Sequence, residues 1–194
     1  PKPERGYATG PVTAYDTSLG WRFVNPRMAE EYGTESMGET AENLAEEHGI
    51  SRDEQDAFAL ASHRKATAAI AAGRFATETV PVEVPTRQGV TVVDTDEGPR
   101  PDTSMDALGR LRPAFRPGGT VTAGNSSSLN DGAAALLVAS RDYAAAHGLR
   151  PLARVVATGV AGVPPRVMGI GPVPATRRAL ERAGMTLDDV GLIE

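Results

Sequence analysis

One stretch of the sequence, Gly118 to Ser140 (GGTVTAGNSSSLNDGAAALLVAS), constrains the possible fold more than any other. It begins with a short β-prone segment, passes through a turn rich in Asn, Ser and Gly, and ends in small and aliphatic residues. The final run, Ala133–Ala139, is typical of a strand covered on both faces, although periodicity alone also permits a buried helix. The stretch therefore predicts a layered α/β protein whose polar turn leads into the core.

After this turn, predicted helices and strands alternate. Residues 141–147 form a predicted helix that ends at Gly148, and residues 152–161 form a predicted strand. A second helix, Pro174–Ala183, has proline at its first position and Gly184 at its end. Strand and helix alternating over short links favour a right-handed parallel α/β layer.

Before the turn, two helices are predicted from their capping residues. Ser36 with Glu39, and Ser51 with Glu54, have the spacing of a capping box, and Gly49 suits the end of the first helix. The second helix is predicted to end at Gly73. The predicted buried faces are Met37, Ala41, Leu44 and Ala45 in the first helix and Phe58, Ala61, Ala69 and Ile70 in the second.

Between these helices and the turn, the valines of residues 80–93 predict a hairpin. Pro81 and Pro85 favour a position at a sheet edge, because proline cannot donate to a ladder. The sequence from Asp102 to Ser104 is expected to cap a short helix that runs through Leu111.

Composition excludes several classes of function. The net charge of −5 argues against a nucleic-acid or membrane-surface partner, and no apolar run approaches the roughly 20 residues of a membrane span. A secretory signal is not recognisable, so we expect a cytoplasmic protein. The absence of cysteine excludes disulfides, thiolate metal sites and a cysteine nucleophile within this chain. His48 and His63 are predicted to be surface residues rather than ligands, and no metal site is expected.

The two capped helices also resemble a helix-turn-helix, joined by His48-Gly49-Ile50. The second helix, however, opens with Asp53, Glu54 and Asp56, which would face phosphates where a recognition helix needs donors. A DNA-binding function is therefore the weaker hypothesis.

Three stretches could carry chemistry. The turn Asn125–Gly132 offers hydroxyl and amide groups, although turn formers of this kind are often purely structural. Val167–Pro174 places glycines before a helix, but proline stands where the dinucleotide pattern needs its third glycine. Four arginines could grip a phosphate or be solvated charges, namely Arg100, Arg110, Arg112 and Arg116.

Taken together, these stretches resemble the thiolase family. The motifs stand in thiolase order and span essentially the whole chain: SMGETAEN (36–43), SRDEQDAF (51–58), LRPAF (111–115), GTVTAGN (119–125), NDGAA (130–134) and VMGIGPVP (167–174). The segment DTSLGWRFVN (16–25) is most similar to the β-ketoadipyl-CoA (3-oxoadipyl-CoA) thiolase branch, which acts in the breakdown of aromatic compounds.

The resemblance implies two similar layered α/β halves with a helical loop domain inserted in the first. Residues 1–117 would form the inserted loop domain, which is the family's coenzyme A platform. Residues 118–148 would complete the N-terminal half, and residues 149–194 would begin the C-terminal half. The chain is then expected to be an internal fragment of an acyltransferase that acts on 3-oxoacyl-CoA and coenzyme A. The parent would be a homodimer or homotetramer, with acyl-CoA as its substrate and no permanently bound cofactor.

The resemblance also implies the binding residues. Arg100 matches an arginine at the adenine and phosphate end of coenzyme A, and Ser127 matches a serine that contacts pantetheine. The positions that would line the pantetheine and acyl tunnel are Met37, Phe115, Ala123, Leu129 and Met168. Ser126 and Ser128 depart from the family, because many thiolases carry Ala and Gly there.

The family's reactive groups are missing from the chain. Thiolases use a nucleophilic Cys, a second Cys, a His in a Gly-His-Pro motif and an Asn-Glu-Ala-Phe segment, and the sequence stops where that segment is expected. This chain alone is therefore predicted to be inactive. The alternative is a non-catalytic relative that binds coenzyme A.

Overall fold

The computed structural model describes residue 21, residues 23–130 and residues 135–194. Three predicted features lie partly outside the described residues. They are the first twenty residues of the predicted loop domain, most of the DTSLGWRFVN motif and the last four residues of NDGAA. The helices are α1 (Pro26–Tyr32), α2 (Met37–His48), α3 (Arg52–Ala71), α4 (Met105–Gly109), α5 (Arg141–Ala146) and α6 (Pro172–Ala183). Two strands, β1 (Val82–Thr86) and β2 (Gly89–Val93), and two 3-10 helices, Pro165–Ile170 and Leu187–Asp189, complete the elements.

Reciprocal capping boxes start both long helices, as the sequence predicts. The Glu39 N–H donates to the Ser36 hydroxyl at 3.3 Å, and the Ser36 N–H donates to the Glu39 carboxylate at 2.9 Å. Ser51 and Glu54 repeat this arrangement at the start of α3. Gly49 ends α2 in the left-handed conformation, with φ of 64°, which a residue with a Cβ adopts only with strain. Helix α3 ends two residues before the predicted Gly73.

The predicted hairpin is present. Strands β1 and β2 pair antiparallel from Val82 opposite Val93 to Thr86 opposite Gly89, which leaves Arg87 and Gln88 as a two-residue turn. All residues of both strands are exposed, so the hairpin contributes no side chain to the buried core.

The shorter helices are also confirmed, with shifted ends. Helix α5 starts at the Ser140 cap, whose hydroxyl accepts the Tyr143 N–H at 3.1 Å. Helix α4 starts at the Ser104 cap and ends at Gly109, before the predicted Leu111. Helix α6 begins at Pro172, so the prediction that Pro174 is its first residue is wrong by two positions.

The two strands predicted after the turn are not formed by the described residues of those segments. Residues 135–139 and 152–161 have no regular secondary structure, and Leu136 and Leu152 are 91% and 97% exposed. A strand requires a backbone ladder partner, and among the described residues the hairpin is the only sheet. The predicted parallel layer is therefore absent from the part of the chain that the structure describes.

Part of the second irregular segment instead packs against α6. A Cβ on Gly159 would collide with the backbone carbonyl of Ala175, so glycine permits the close approach. The carbonyls of Val160 and Thr158 accept hydrogen bonds from Arg178 and Arg182 at 2.6 and 2.8 Å. Arginines of α6 thus satisfy carbonyls of the irregular segment.

The core lies where α2, α3, α4 and residues 119–125 meet. Apolar side chains buried there include Ala45, Leu60, Leu108 and Val121. Polar side chains are equally buried, namely Thr40, Glu42, Asn43, Asp56 and Thr122. The predicted buried faces were wrong for Met37 and Phe58, which are 74% and 80% exposed, and for Ala61, which is also exposed. Instead, α2 turns Glu42 inward and α3 turns Asp56 inward.

Candidate functional site

A cleft of about 1260 Å³ lies beside this core. Its walls are one face of α3, the loop of residues 97–103, helix α4 with Leu111, and the turn of residues 123–130. Residues 123–130, which belong to the stretch Gly118–Ser140, thus form one wall of this cleft. Helix α3 contributes Phe58, Ala59, Ser62 and His63, which share a face because they recur at helical spacing.

A buried carboxylate of α2 holds the start of the turn. Glu42 is 3% exposed and accepts the backbone N–H groups of Thr120 and Val121, each at 2.8 Å, and the Thr120 hydroxyl at 3.0 Å. A Cβ on Gly119 would collide with this carboxylate, so the segment approaches α2 as closely as glycine allows. Because the acceptor is an ionised group, these hydrogen bonds are stronger than neutral ones.

The environment of Glu42 has opposing effects on its pKa. Burial acts to raise the pKa, but the hydrogen bonds from Thr120 and Val121 and the positive charge of Arg116 outweigh burial and hold it below its ordinary value. Glu42 is therefore ionised at neutral pH, which is the state in which it accepts both backbone donors.

A second buried carboxylate, from α3, holds the end of the same segment. Asp56 is 1% exposed, pairs with Arg52 at 2.7 Å and accepts the side-chain amide of Asn125 at 3.0 Å. Asn125 also accepts the Thr122 N–H at 2.8 Å and donates to the Thr120 carbonyl at 3.0 Å. The turn is thus fixed to both long helices before it reaches the cleft.

Small residues let the turn lie close to α4. A Cβ on Gly124 would come within 2.5 Å of Leu111 Cδ1 and 2.6 Å of Leu108 Cδ2. Beyond Gly124 the serines are exposed, and Ser128 and Asn130 hydrogen bond to each other at 3.0 Å. Ser127 therefore presents its hydroxyl at the rim of the cleft on a turn with a fixed base.

The structure brings three of the seven predicted binding residues to this cleft, namely Arg100, Ala123 and Ser127. Arg100 Nε lies 4.0 Å from Asp102 Oδ1, and both side chains are mostly exposed. Such an exposed pair is weak and leaves the guanidinium available to a ligand.

The other four predicted residues do not line the cleft. Phe115 packs over Gly38 of α2, where a Cβ would collide with its ring. Met37 and Leu129 are largely exposed, and Met168 lies on the first 3-10 helix. The roles assigned to all seven residues stay predictions.

Sequence reasoning missed three residues that shape the site. Glu42 lies within a quoted motif but was not singled out, and Asp56 was considered only as an acidic group at the start of α3. A signal existed for Glu42, because it lies one helical turn from both Gly38 and Ala45, on a face of small residues. His63 was expected on the surface, yet it is half-buried and lines the cleft.

Within the described ranges, no group of three or more His, Asp or Glu side chains is placed to hold a metal ion. No helix in the same ranges combines the length and the apolar character needed to cross a membrane.

Comparison with known families identifies two matches that together cover most of the chain. The model described as "Thiolase, N-terminal domain" matches residues 15–142, and the model described as "Thiolase, C-terminal domain" matches residues 149–194. The N-terminal match alone spans more than half of the chain.

Individual relatives agree with these matches. The chain is 52% identical to a beta-ketoadipyl-CoA thiolase of Pseudomonas putida over 193 residues, which are 100% of this chain and 48% of that protein. It is 54% identical to a 3-oxoadipyl-CoA/3-oxo-5,6-dehydrosuberyl-CoA thiolase of Escherichia coli over 93% of this chain and 45% of that protein. The chain therefore spans about half the length of the curated relatives it matches.

Solved structures show the same similarity in three dimensions. The acetyl-CoA acetyltransferase of Bacillus anthracis superposes with a TM-score of 0.79 at 43% identity, covering 94% of this chain and 48% of that one. Human mitochondrial 3-ketoacyl-CoA thiolase superposes with a TM-score of 0.76 at 48% identity, covering 80% of this chain and 40% of that one.

Proposed function

The chain belongs to the thiolase family, and we propose that it forms the coenzyme A-binding part of an acyltransferase. Its fold is a partial, thiolase-like α/β fold. The proposed reaction of the whole enzyme is acyl transfer between a 3-oxoacyl-CoA and coenzyme A. The names of the Pseudomonas putida and Escherichia coli relatives favour 3-oxoadipyl-CoA as the substrate and the breakdown of aromatic compounds as the setting.

The observation that carries this proposal is the convergence of Arg100, Ala123 and Ser127 on one cleft. They come from the loop after the hairpin and from the polar turn, so their proximity is a product of the fold. A long ligand with a charged end and an uncharged arm suits a cleft that has a guanidinium at one wall and small residues at the other. Coenzyme A has this construction.

Each residue has a proposed role. The Arg100 guanidinium would meet the phosphate end of coenzyme A, where charge-assisted hydrogen bonds are strong. The Ser127 hydroxyl would hydrogen bond the pantetheine arm, and Ala123 would leave room for it. Met37, Phe115, Leu129 and Met168 remain proposed contacts of the acyl and pantetheine tunnel. Ser126 and Ser128 add hydroxyls to the turn and are exposed in this structure.

Binding and chemistry would reside in different parts of the enzyme. This chain contains no cysteine and so cannot supply the thiolate that forms an acyl-enzyme. We therefore expect the chain alone to bind coenzyme A without catalysing thiolysis.

The proposed domains remain the loop domain (residues 1–117), the end of the N-terminal half (residues 118–148) and the start of the C-terminal half (residues 149–194). A dimeric or tetrameric parent, a cytoplasmic location and the absence of a permanent cofactor are also part of the proposal.

A non-catalytic relative that binds coenzyme A is the second candidate, and the lack of cysteine in this chain is the observation that favours it. The flanking coding sequence separates the two. A cysteine in a small-residue turn upstream, with Gly-His-Pro and a further cysteine downstream, would support the enzyme, and their absence would contradict it. The helix-turn-helix hypothesis has lost its motivation, because the family match accounts for α2 and α3.

Calorimetric titration of the 194-residue chain with coenzyme A tests the binding proposal. Arg100→Ala should weaken binding by about tenfold, since it removes a charge-assisted contact. Arg87→Ala, in the hairpin turn, removes the same charge away from the cleft and should leave affinity unchanged. No binding by the parent chain, or equal losses in both variants, would contradict the proposal. Thiolysis of acetoacetyl-CoA by the chain would contradict the expected inactivity.

A further inference from the structure

We propose that His63 is a direct binding residue of the cleft, and that its Nε2–H donates to the phosphate-bearing end of the ligand. The inference rests on the proposed function and assigns a role to a residue that lies outside the seven predicted contacts. His63 is on the cleft-facing side of α3, one helical turn beyond Ala59.

The tautomer of His63 follows from one hydrogen bond. The backbone N–H of Arg100 donates to His63 Nδ1 at 3.2 Å. A ring nitrogen that accepts carries no proton, so in the neutral ring the proton is on Nε2. The same bond ties the 97–103 loop to α3 and orients the ring beside Arg100. Nε2 is therefore a fixed donor at the wall of the cleft.

The neighbourhood of His63 identifies the end of the ligand that it would meet. Arg100 is the adjacent residue of the opposite wall, and Ser62 adds a hydroxyl from α3. Glu97 and Asp102 line the same cleft and would repel an anion. A phosphate bound there consequently needs several donors at short range. In this proposal the donors come from His63 Nε2–H, the Ser62 hydroxyl and the Arg100 guanidinium, whose residues all line the cleft.

The ligand class that fits is a phosphorylated nucleotide end attached to a longer arm. A neutral pantetheine arm gains little from a donor set of this kind, whereas the phosphates of coenzyme A accept from it. The inference therefore predicts that His63 discriminates coenzyme A from pantetheine.

Two isosteric substitutions separate a ligand contact from a structural anchor. In His63→Asn the amide oxygen takes the place of Nδ1, so the hydrogen bond from the Arg100 N–H is kept. The far donor, Nε2–H, is lost, because the asparagine side chain is too short to reach that position. In His63→Gln the amide nitrogen takes the place of Nε2, so the far donor is kept. Calorimetric titration of the parent chain and both variants with coenzyme A and with pantetheine gives the comparison.

We expect His63→Asn to weaken coenzyme A binding by about tenfold and His63→Gln to stay within about threefold of the parent. Pantetheine binding should be the same in all three proteins. The proposal is overturned if His63→Asn retains affinity, if both variants lose it equally, or if pantetheine binding falls as well. A parent chain that does not bind coenzyme A contradicts the proposed function itself, which is a distinguishable result.

Discussion

In residues 36–125 the least exposed side chains include Thr122, Asp56 and Glu42, whereas in residues 135–161 the most exposed include Leu136 and Leu152. The first region buries polar groups, and each has a partner at hydrogen-bond distance. The second region leaves aliphatic surface in water, which is unfavourable by about 25 cal/mol per Å². Large exposed apolar patches of this kind mark surfaces that other protein normally covers.

The contrast teaches that hydrogen bonds define the structure of the first region more than apolar area does. A buried carboxylate accepts from particular backbone groups in a particular geometry, so it selects one arrangement of α2, α3 and the turn. Aliphatic residues that lack a partner surface do not favour any one arrangement of the chain. Four experiments can test this contrast between the two regions.

The largest effect is expected from Glu42→Ala. The substitution leaves the N–H groups of Thr120 and Val121 without their acceptor inside the protein. The free energy of unfolding, measured in urea, should fall by about 3 kcal/mol. Glu46→Ala, one turn further along α2 and exposed, should change it by less than about 0.5 kcal/mol. Equal effects of the two substitutions would show that the buried network does not hold the first region together.

The second-largest loss of stability is expected from Gly38→Ala. The new Cβ would collide with the ring of Phe115, and overpacking of this kind lowers stability by about 1–3 kcal/mol, less the gain in helix propensity. Gly162→Ala is the matched change one residue beyond the second region, where a Cβ meets open space. Thermal unfolding of both variants checks the difference. A neutral Gly38→Ala would mean that Phe115 does not pack on α2 in solution.

A smaller loss of stability is expected when the pH is lowered. The pKa of Glu42 is lower in the folded than in the unfolded chain, so its ionisation stabilises the fold above the unfolded pKa of about 4.3. This contribution is lost as the pH falls below that value and through the folded pKa. Unfolding curves between about pH 3 and 6 should show a steeper decline for the parent than for Glu42→Gln. Parallel curves would exclude Glu42 as a source of the acid sensitivity.

The smallest effect on stability is expected from Leu136→Lys, which should stay within about 0.5 kcal/mol because the side chain is exposed. Light scattering should show less aggregation, since the charge interrupts an apolar stretch. Leu108→Lys is the contrasting change, because Leu108 is buried beside the turn. A loss above about 1 kcal/mol in Leu136→Lys would indicate that Leu136 is packed in solution.

The sequence predicted those features that depend on nearby residues. Capping boxes join residues three positions apart, and the hairpin joins strands across a two-residue turn, so both were confirmed. In α2 the sequence placed the exposed Met37 in the buried face and missed Glu42, because the segment that packs there carries Thr120, 78 positions from Glu42. Periodicity identifies an apolar stripe but carries no information about a distant backbone that needs a carboxylate.

The candidate site was predictable to a similar extent. The motifs directed attention to Arg100, Ala123 and Ser127, which the fold brings to one cleft. His63 could not be assigned, because its importance depends on a bond to a loop 37 positions away. The strands predicted at Ala133–Ala139 and at 152–161 were wrong for the described residues, because a favourable composition does not provide a ladder partner.

The distance along the chain between Glu42 and Thr120 also has a consequence for biosynthesis. Their bond spans 78 positions, and that between Asp56 and Asn125 spans 69. At about 5–20 residues per second, α2 and α3 leave the ribosome on the order of seconds before the segment that they hold. During this interval Glu42 lacks its backbone donors and Asp56 lacks Asn125, so the turn can dock only after both helices have been synthesised.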